Sequence, residues 1–82
     1  MDDETWVVRL HDDDVNTAHS MAYALHRIIG LPIRDAWKRM AEVQECGSAD
    51  VAWFTNHMEA EHLAARFLVF GLHAMVGRDD HG

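Results

Sequence analysis

One stretch constrains this chain more than any other: Trp6-Val7-Val8-Arg9-Leu10-His11-Asp12-Asp13-Asp14-Val15-Asn16-Thr17. Its first half is dominated by β-branched and aromatic residues and alternates as a strand over Trp6 to Leu10. Its second half offers helix caps, since Asn16 or Thr17 can place a side-chain oxygen on a free backbone N–H. Between the halves stand three carboxylates in a row, Asp12, Asp13 and Asp14, where the chain must turn. Carboxylates this close repel by about 1 kcal/mol per pair at a few ångström in water. Solvent can screen them, which makes a solvated acidic turn capping a helix. Alternatively a cation neutralises them, which makes the turn a socket for a positively charged group.

The rest of the chain reads in order from that turn. Ala18, Met21, Leu25 and Ile28 recur at helical spacing, with Ala22 and Ile29 beside them, until Gly30. Pro32 suits the first turn of a second helix. There Ile33, Trp37, Met40 and Gln44 fall on one line, flanked by Ala36 and Val43, and Gly47 ends it. Gln44 either finds partners on that apolar stripe or sits partly exposed in the last turn. A buried amide without partners costs roughly 1–3 kcal/mol. Ala49 to Phe54 reads as a second strand. Asn56-His57-Met58-Glu59 has the spacing of a capping box, and Ala60, Leu63, Ala64 and Phe67 give a third helix its inner face up to Gly71. Leu72 to Val76 alternates as a third strand. The predicted order is β-α-α-β-α-β: an α+β domain with three helices packed on a small, three-stranded, mostly antiparallel sheet. One domain over residues 1–82 is expected, with loose ends at 1–4 and 77–82.

Charge narrows the partners. Fourteen acidic residues oppose seven basic ones, for a formal charge of -7. Nucleic acid and anionic membranes both want a basic surface, so neither is expected. Cationic partners, including peptide amines, are favoured. No apolar run approaches the ~20 residues of a membrane span, and the acidic start Met1-Asp2-Asp3-Glu4 lacks a signal-peptide pattern. With one cysteine, Cys46, there is no internal disulfide, which fits a cytoplasmic setting.

Seven histidines raise the question of a metal: His11, His19, His26, His57, His62, His73 and His81. None forms a His-x-x-x-His pair and no Cys-x-x-Cys is present, so no metal or cofactor is expected. His11 beside the three aspartates is the remaining metal candidate. Cys46 next to a helix C-terminus is poorly placed to form a thiolate, which argues against a nucleophilic enzyme. The stronger combination is the acidic turn with Met21, Met40, Val43 and Leu72, apolar residues near element ends. If those ends converge near Asp13 and Asp14, they enclose a greasy pocket with a negative rim. A chain N-terminus supplies both matching features: an α-amino group with a pKa of about 7.7–8, mostly cationic at pH 7, and a first side chain beside it. A lysine ammonium lacks that adjoining bulky group.

These residues resemble a known signature. Trp6 to Thr17 resembles the ClpS family motif, in which a strand runs into Asn-Asp-Asp followed by Val-Asn-Thr or similar. Met40-Ala41-Glu42-Val43-Gln44-Glu45-Cys46-Gly47 resembles the family's Met-x-x-Val-His-x-x-Gly, and Gly71-Leu72-His73-Ala74-Met75 resembles the Gly-Leu-x-Ala segment of short actinobacterial-type members. The resemblance spans residues 5 to about 78. It implies an adaptor, not an enzyme, for the AAA+ unfoldases ClpA or ClpC, partners of the peptidase ClpP. Such adaptors bind substrates beginning with Leu, Phe, Tyr or Trp, the N-degrons of the bacterial N-end rule. Carried over residue by residue, the amine contacts fall on Asp12, Asp13, Asp14 and Gln44, with Asn16 beside them. The pocket wall falls on Ala18, Met21, Ala24, Met40, Val43 and Leu72.

Four departures qualify what the resemblance implies. Gln44 replaces the family histidine; it can accept one N–H bond but cannot become charged. A poorer bond to the amine would cost on the order of 1–3 kcal/mol, roughly ten- to a hundredfold. Ala18 replaces a bulkier gate residue, so a looser preference among first residues is expected. Only about five residues precede the first strand, where relatives carry an extension that assists delivery. His57, at the start of the third helix, stands where an acidic residue is common on the unfoldase-facing surface of relatives. The alternative is therefore a divergent paralogue that docks on the unfoldase and regulates substrate choice without reading N-degrons.

Overall fold

A computed structural model describes residues 4–13 and 16–79. The elements are β1 (Trp6–His11), α1 (Ala18–Ile29), α2 (Ile33–Cys46), β2 (Ser48–Phe54), α3 (His57–Val69) and β3 (His73–Arg78). The strand-to-helix switch is made by Thr17, whose backbone is extended and whose hydroxyl accepts the Ser20 N–H. Gly30 closes α1 at φ 75, in the left-handed region that favours glycine, and donates its N–H to the His26 carbonyl. α3 starts on Asn56, whose side-chain oxygen accepts the N–H groups of Met58 and Glu59 at 2.8 and 3.3 Å. Replacing Asn56 by Ala leaves those donors to solvent. We expect it to cost about 1 kcal/mol and lower the melting temperature by roughly 4–8 °C, read by thermal denaturation.

The strands form one sheet in the order β2-β1-β3, and both pairings are antiparallel. Val8 faces Ala52 but Arg9 faces Asp50, so β2 bulges at Val51. The extra residue lets Ala49, Val51 and Ala52 all reach the core. The three helices cover one face of the sheet, and Phe67, Leu10, Met21, Leu25 and Met40 are the largest fully buried side chains. By alternation the opposite face carries Val7, Arg9 and His11 in the centre. Trp53, Asp50 and Ser48 flank them on β2, and Gly77, Met75 and His73 on β3.

Two expectations differ from the structure. On α2 the buried line is Ala36, Met40 and Val43; Ile33 and Trp37 are 48% and 43% exposed, and Gln44 is also exposed. The helix is rotated by about one residue from the line Ile33-Trp37-Met40-Gln44, which puts small Ala36 against the core. Trp37 instead lies at the edge, its ring 5.8 Å from that of His19. The third strand also runs past Val76 to Arg78. It is held there by the Asp79 N–H on the Thr5 carbonyl, 2.9 Å Arg78–Glu4 contact and the pairing of Gly77 with Val7. Among the described residues no helix is long and apolar enough to cross a membrane.

Candidate functional site at the acidic turn

β1 delivers the chain into the turn at Asp12, whose N–H donates to the Gly47 carbonyl at 2.9 Å. That bond ties the turn to the end of α2. One step on, Asp13 Oδ1 accepts the Asn16 N–H at 2.7 Å, and Asn16 Nδ2 donates to Asp13 Oδ2 at 3.1 Å. The same Nδ2 donates to the Gly71 carbonyl at 2.7 Å, which ties the turn to the connection between α3 and β3. Gly47 and Gly71 both sit in the left-handed region, at φ 89 and 88, where a side chain would be strained. The end of β1, the start of α1, the end of α2 and the end of α3 therefore meet here. Asp14 lies outside the described residues.

This convergence has an electrostatic consequence. Helix C-termini carry partial negative charge from carbonyls without helical partners. Two of them, those of α2 and α3, close on a turn that already carries Asp12 and Asp13. α2 has no basic residue in its last turn to offset this, although α3 has Arg66. The place suits a cation. The contribution of the helix ends is not legible as a motif, because it requires knowing that Gly47 and Gly71 come together.

The apolar residues assigned to the pocket wall also come together. Met21, Ala24, Met40, Val43 and Leu72 are 0–3% exposed in one core cluster, with half-buried Ala18 packed against it. They form a closed wall. Gln44 is exposed in the last turn of α2, so its amide carries no desolvation penalty. Two shallow hollows stand elsewhere. One, of about 220 Å³, lies over Val7, Arg9, His11, Met75, Val76 and Gly77; the other, of about 230 Å³, lies between Phe54, Glu59, His62, Leu63 and Arg66. Two members of the wall, Met21 and Met40, carry flexible thioethers that can shift to admit a guest side chain.

Among the described residues the histidines are dispersed, except for one pair. His11 faces His73 across β1 and β3, with ring centroids 5.2 Å apart. Burial, then the neighbouring His73 and Arg9, hold the His11 imidazole below its usual pKa. His57 packs against Trp6 with ring centroids 4.3 Å apart and planes tilted by 54°, and reaches Glu61 at 3.0 Å; His26 Nδ1 lies 2.7 Å from the Leu31 carbonyl oxygen. Among the described residues no three His, Cys, Asp or Glu cluster as metal ligands. Cys46 is exposed.

The architecture is an antiparallel sheet carrying three helices, with element ends gathered around a negative turn. The chain belongs to the ClpS family: residues 1–74 match the model for the ATP-dependent Clp protease adaptor protein ClpS. It is thus a Clp protease adaptor, with a Clp unfoldase and its substrates as the partners the family implies. A solved structure of Agrobacterium tumefaciens ClpS2 bound to L-phenylalaninamide shares the fold, with a TM-score of 0.88 at 18% identity, over 95% of this chain and 100% of that one. No curated protein matches the sequence.

Proposed function

We propose that this chain binds cytoplasmic polypeptides through their amino ends when the first residue is Leu, Phe, Tyr or Trp, and delivers them to a ClpA- or ClpC-type unfoldase working with ClpP. One observation carries the reading: Asp12 on Gly47, and Asn16 between Asp13 and Gly71, gather Asp12, Asp13 and two helix C-termini around one turn. The apolar cluster of Met21, Ala24, Met40, Val43 and Leu72 adjoins it, since the Val43 carbonyl accepts the Gly47 N–H at 2.8 Å and Leu72 follows Gly71. An α-amino group with a bulky first side chain matches both halves, and L-phenylalaninamide, bound by Agrobacterium ClpS2, has those two features. Gln44 accepts one further amine hydrogen bond through its carbonyl.

Calorimetry with short peptides beginning with Phe, Leu, Trp or Ala tests this. Heat is expected for the first three and little for Ala. Restoring the family residue by Gln44→His should tighten the Phe peptide roughly ten- to a hundredfold. Equal heat for all four peptides, or none for any, would remove the reading. The closed state of the wall favours a second reading, in which the chain docks on the unfoldase and regulates it without reading amino ends. A pull-down that captures the unfoldase while ignoring the Phe peptide would select that one.

A further inference from the structure

The open face of the sheet holds the one histidine pair among the described residues. His11 closes β1 and His73 opens β3, and the register sets them directly opposite each other. Their rings are 5.2 Å apart between centroids and tilted by 36°. Among the described residues neither imidazole has a hydrogen-bond partner, so both keep ring nitrogens available. A zinc ion holds an imidazole nitrogen at about 2.0–2.1 Å, which puts the ring centre about 3.2 Å from the metal. Two such rings at a tetrahedral angle of about 109° have centres about 5.2 Å apart. That is the separation found here.

We propose that His11 and His73 form a binding site for a divalent transition-metal ion, Zn²⁺ being the ion of matching geometry. Two imidazoles bind from the protein and solvent fills the remaining positions, since no third His, Cys, Asp or Glu joins them among the described residues. The nearest fixed cation on this face, Arg9, is paired with Asp50 at 2.6 Å, which blunts its repulsion of an incoming ion. The formal charge of -7 favours cation capture overall. The site clips the last residue of β1 to the first of β3. His11 is followed by Asp12 and His73 is preceded by Leu72, so the ion would brace the acidic turn and the apolar wall from the far side of the sheet. The proposal does not depend on what the turn binds.

The test is a Zn²⁺ titration of the full chain, free of any histidine tag and stripped with EDTA, followed by calorimetry and by NMR of the histidine rings. One saturable equivalent is expected, with the His11 and His73 ring signals shifting together while those of His62 and His26 stay in place. His11→Gln and His73→Gln should each abolish that binding and the accompanying rise in melting temperature; His62→Gln should change neither. Absence of one-to-one binding, survival of binding in His73→Gln, or its loss in His62→Gln would overturn the site. Should a variant fail to fold, the ring signals of the unmodified chain still decide: a shift confined to other histidines rejects the proposal.

Discussion

Exchanging Asp13 for Asn should weaken binding of a Phe-initiated peptide by about 2 kcal/mol, roughly thirtyfold, while leaving the melting temperature nearly unchanged. The two effects separate because Asp13 has two jobs. Its Oδ1 accepts the Asn16 N–H at 2.7 Å and so shapes the turn into α1. An asparagine carbonyl can accept the same bond, as Asx turns do with either residue. Its second job is charge. The amide of Asn16 orients the carboxylate but carries no charge of its own, so the oriented group at the centre of the turn is an anion only while position 13 is acidic. Asp13→Ala would remove both, lowering stability by about 1 kcal/mol as well as affinity, because the Asn16 N–H and amide lose their acceptor. Calorimetry and thermal melts on the pair of variants read the two quantities independently. Unchanged peptide affinity in Asp13→Asn would mean that the aspartate only builds the turn.

How far the sequence discloses this architecture depends on how local each feature is. The switch at Thr17, the cap at Asn56 and the glycine stops at 30 and 47 are decided within a turn of chain, and each appears where local rules place it. The apolar face of α3 is equally local, because Ala60, Leu63, Ala64 and Phe67 leave it no other side to bury. α2 is different: Ile33 and Trp37 make an apolar line nearly as convincing as Ala36-Met40-Val43, and only the fit against the rest of the core chooses between them. Features set by register lay beyond reach. Nothing near His11 announces His73, and nothing near Asp12 announces the Gly47 carbonyl. That Met21, Ala24, Met40, Val43 and Leu72 share one buried cluster was within reach of spacing and family resemblance, but how tightly they close was not. Whether Met21 and Met40 leave a hollow or fill it is a question of packing, which pattern does not address.

The largest single effect is expected at Phe67. Its side chain is fully buried, the bulkiest of the core, on the helix that packs against the sheet. Truncation to Ala removes the ring's burial and leaves a cavity that a small core closes only in part, for a cost of about 3–5 kcal/mol. A chain of 82 residues has a total stability of only about 4–12 kcal/mol at roughly 0.05–0.15 kcal/mol per residue, so the loss takes a large share of it. At about 4–8 °C per kcal/mol, the melting temperature should fall by well over ten degrees. Phe70→Ala, three residues on at a half-exposed position, supplies the comparison and should shift it little. The consequence reaches the acidic turn, because the Phe67 carbonyl accepts the Leu72 N–H at 3.0 Å and Gly71 between them accepts Asn16. Loosening that corner moves one anchor of the turn, so peptide binding should weaken in Phe67→Ala even at temperatures where the chain stays folded. A melt within a few degrees of the unmodified chain would show that the core does not hang on this ring, and that the corner is held by its backbone bonds alone.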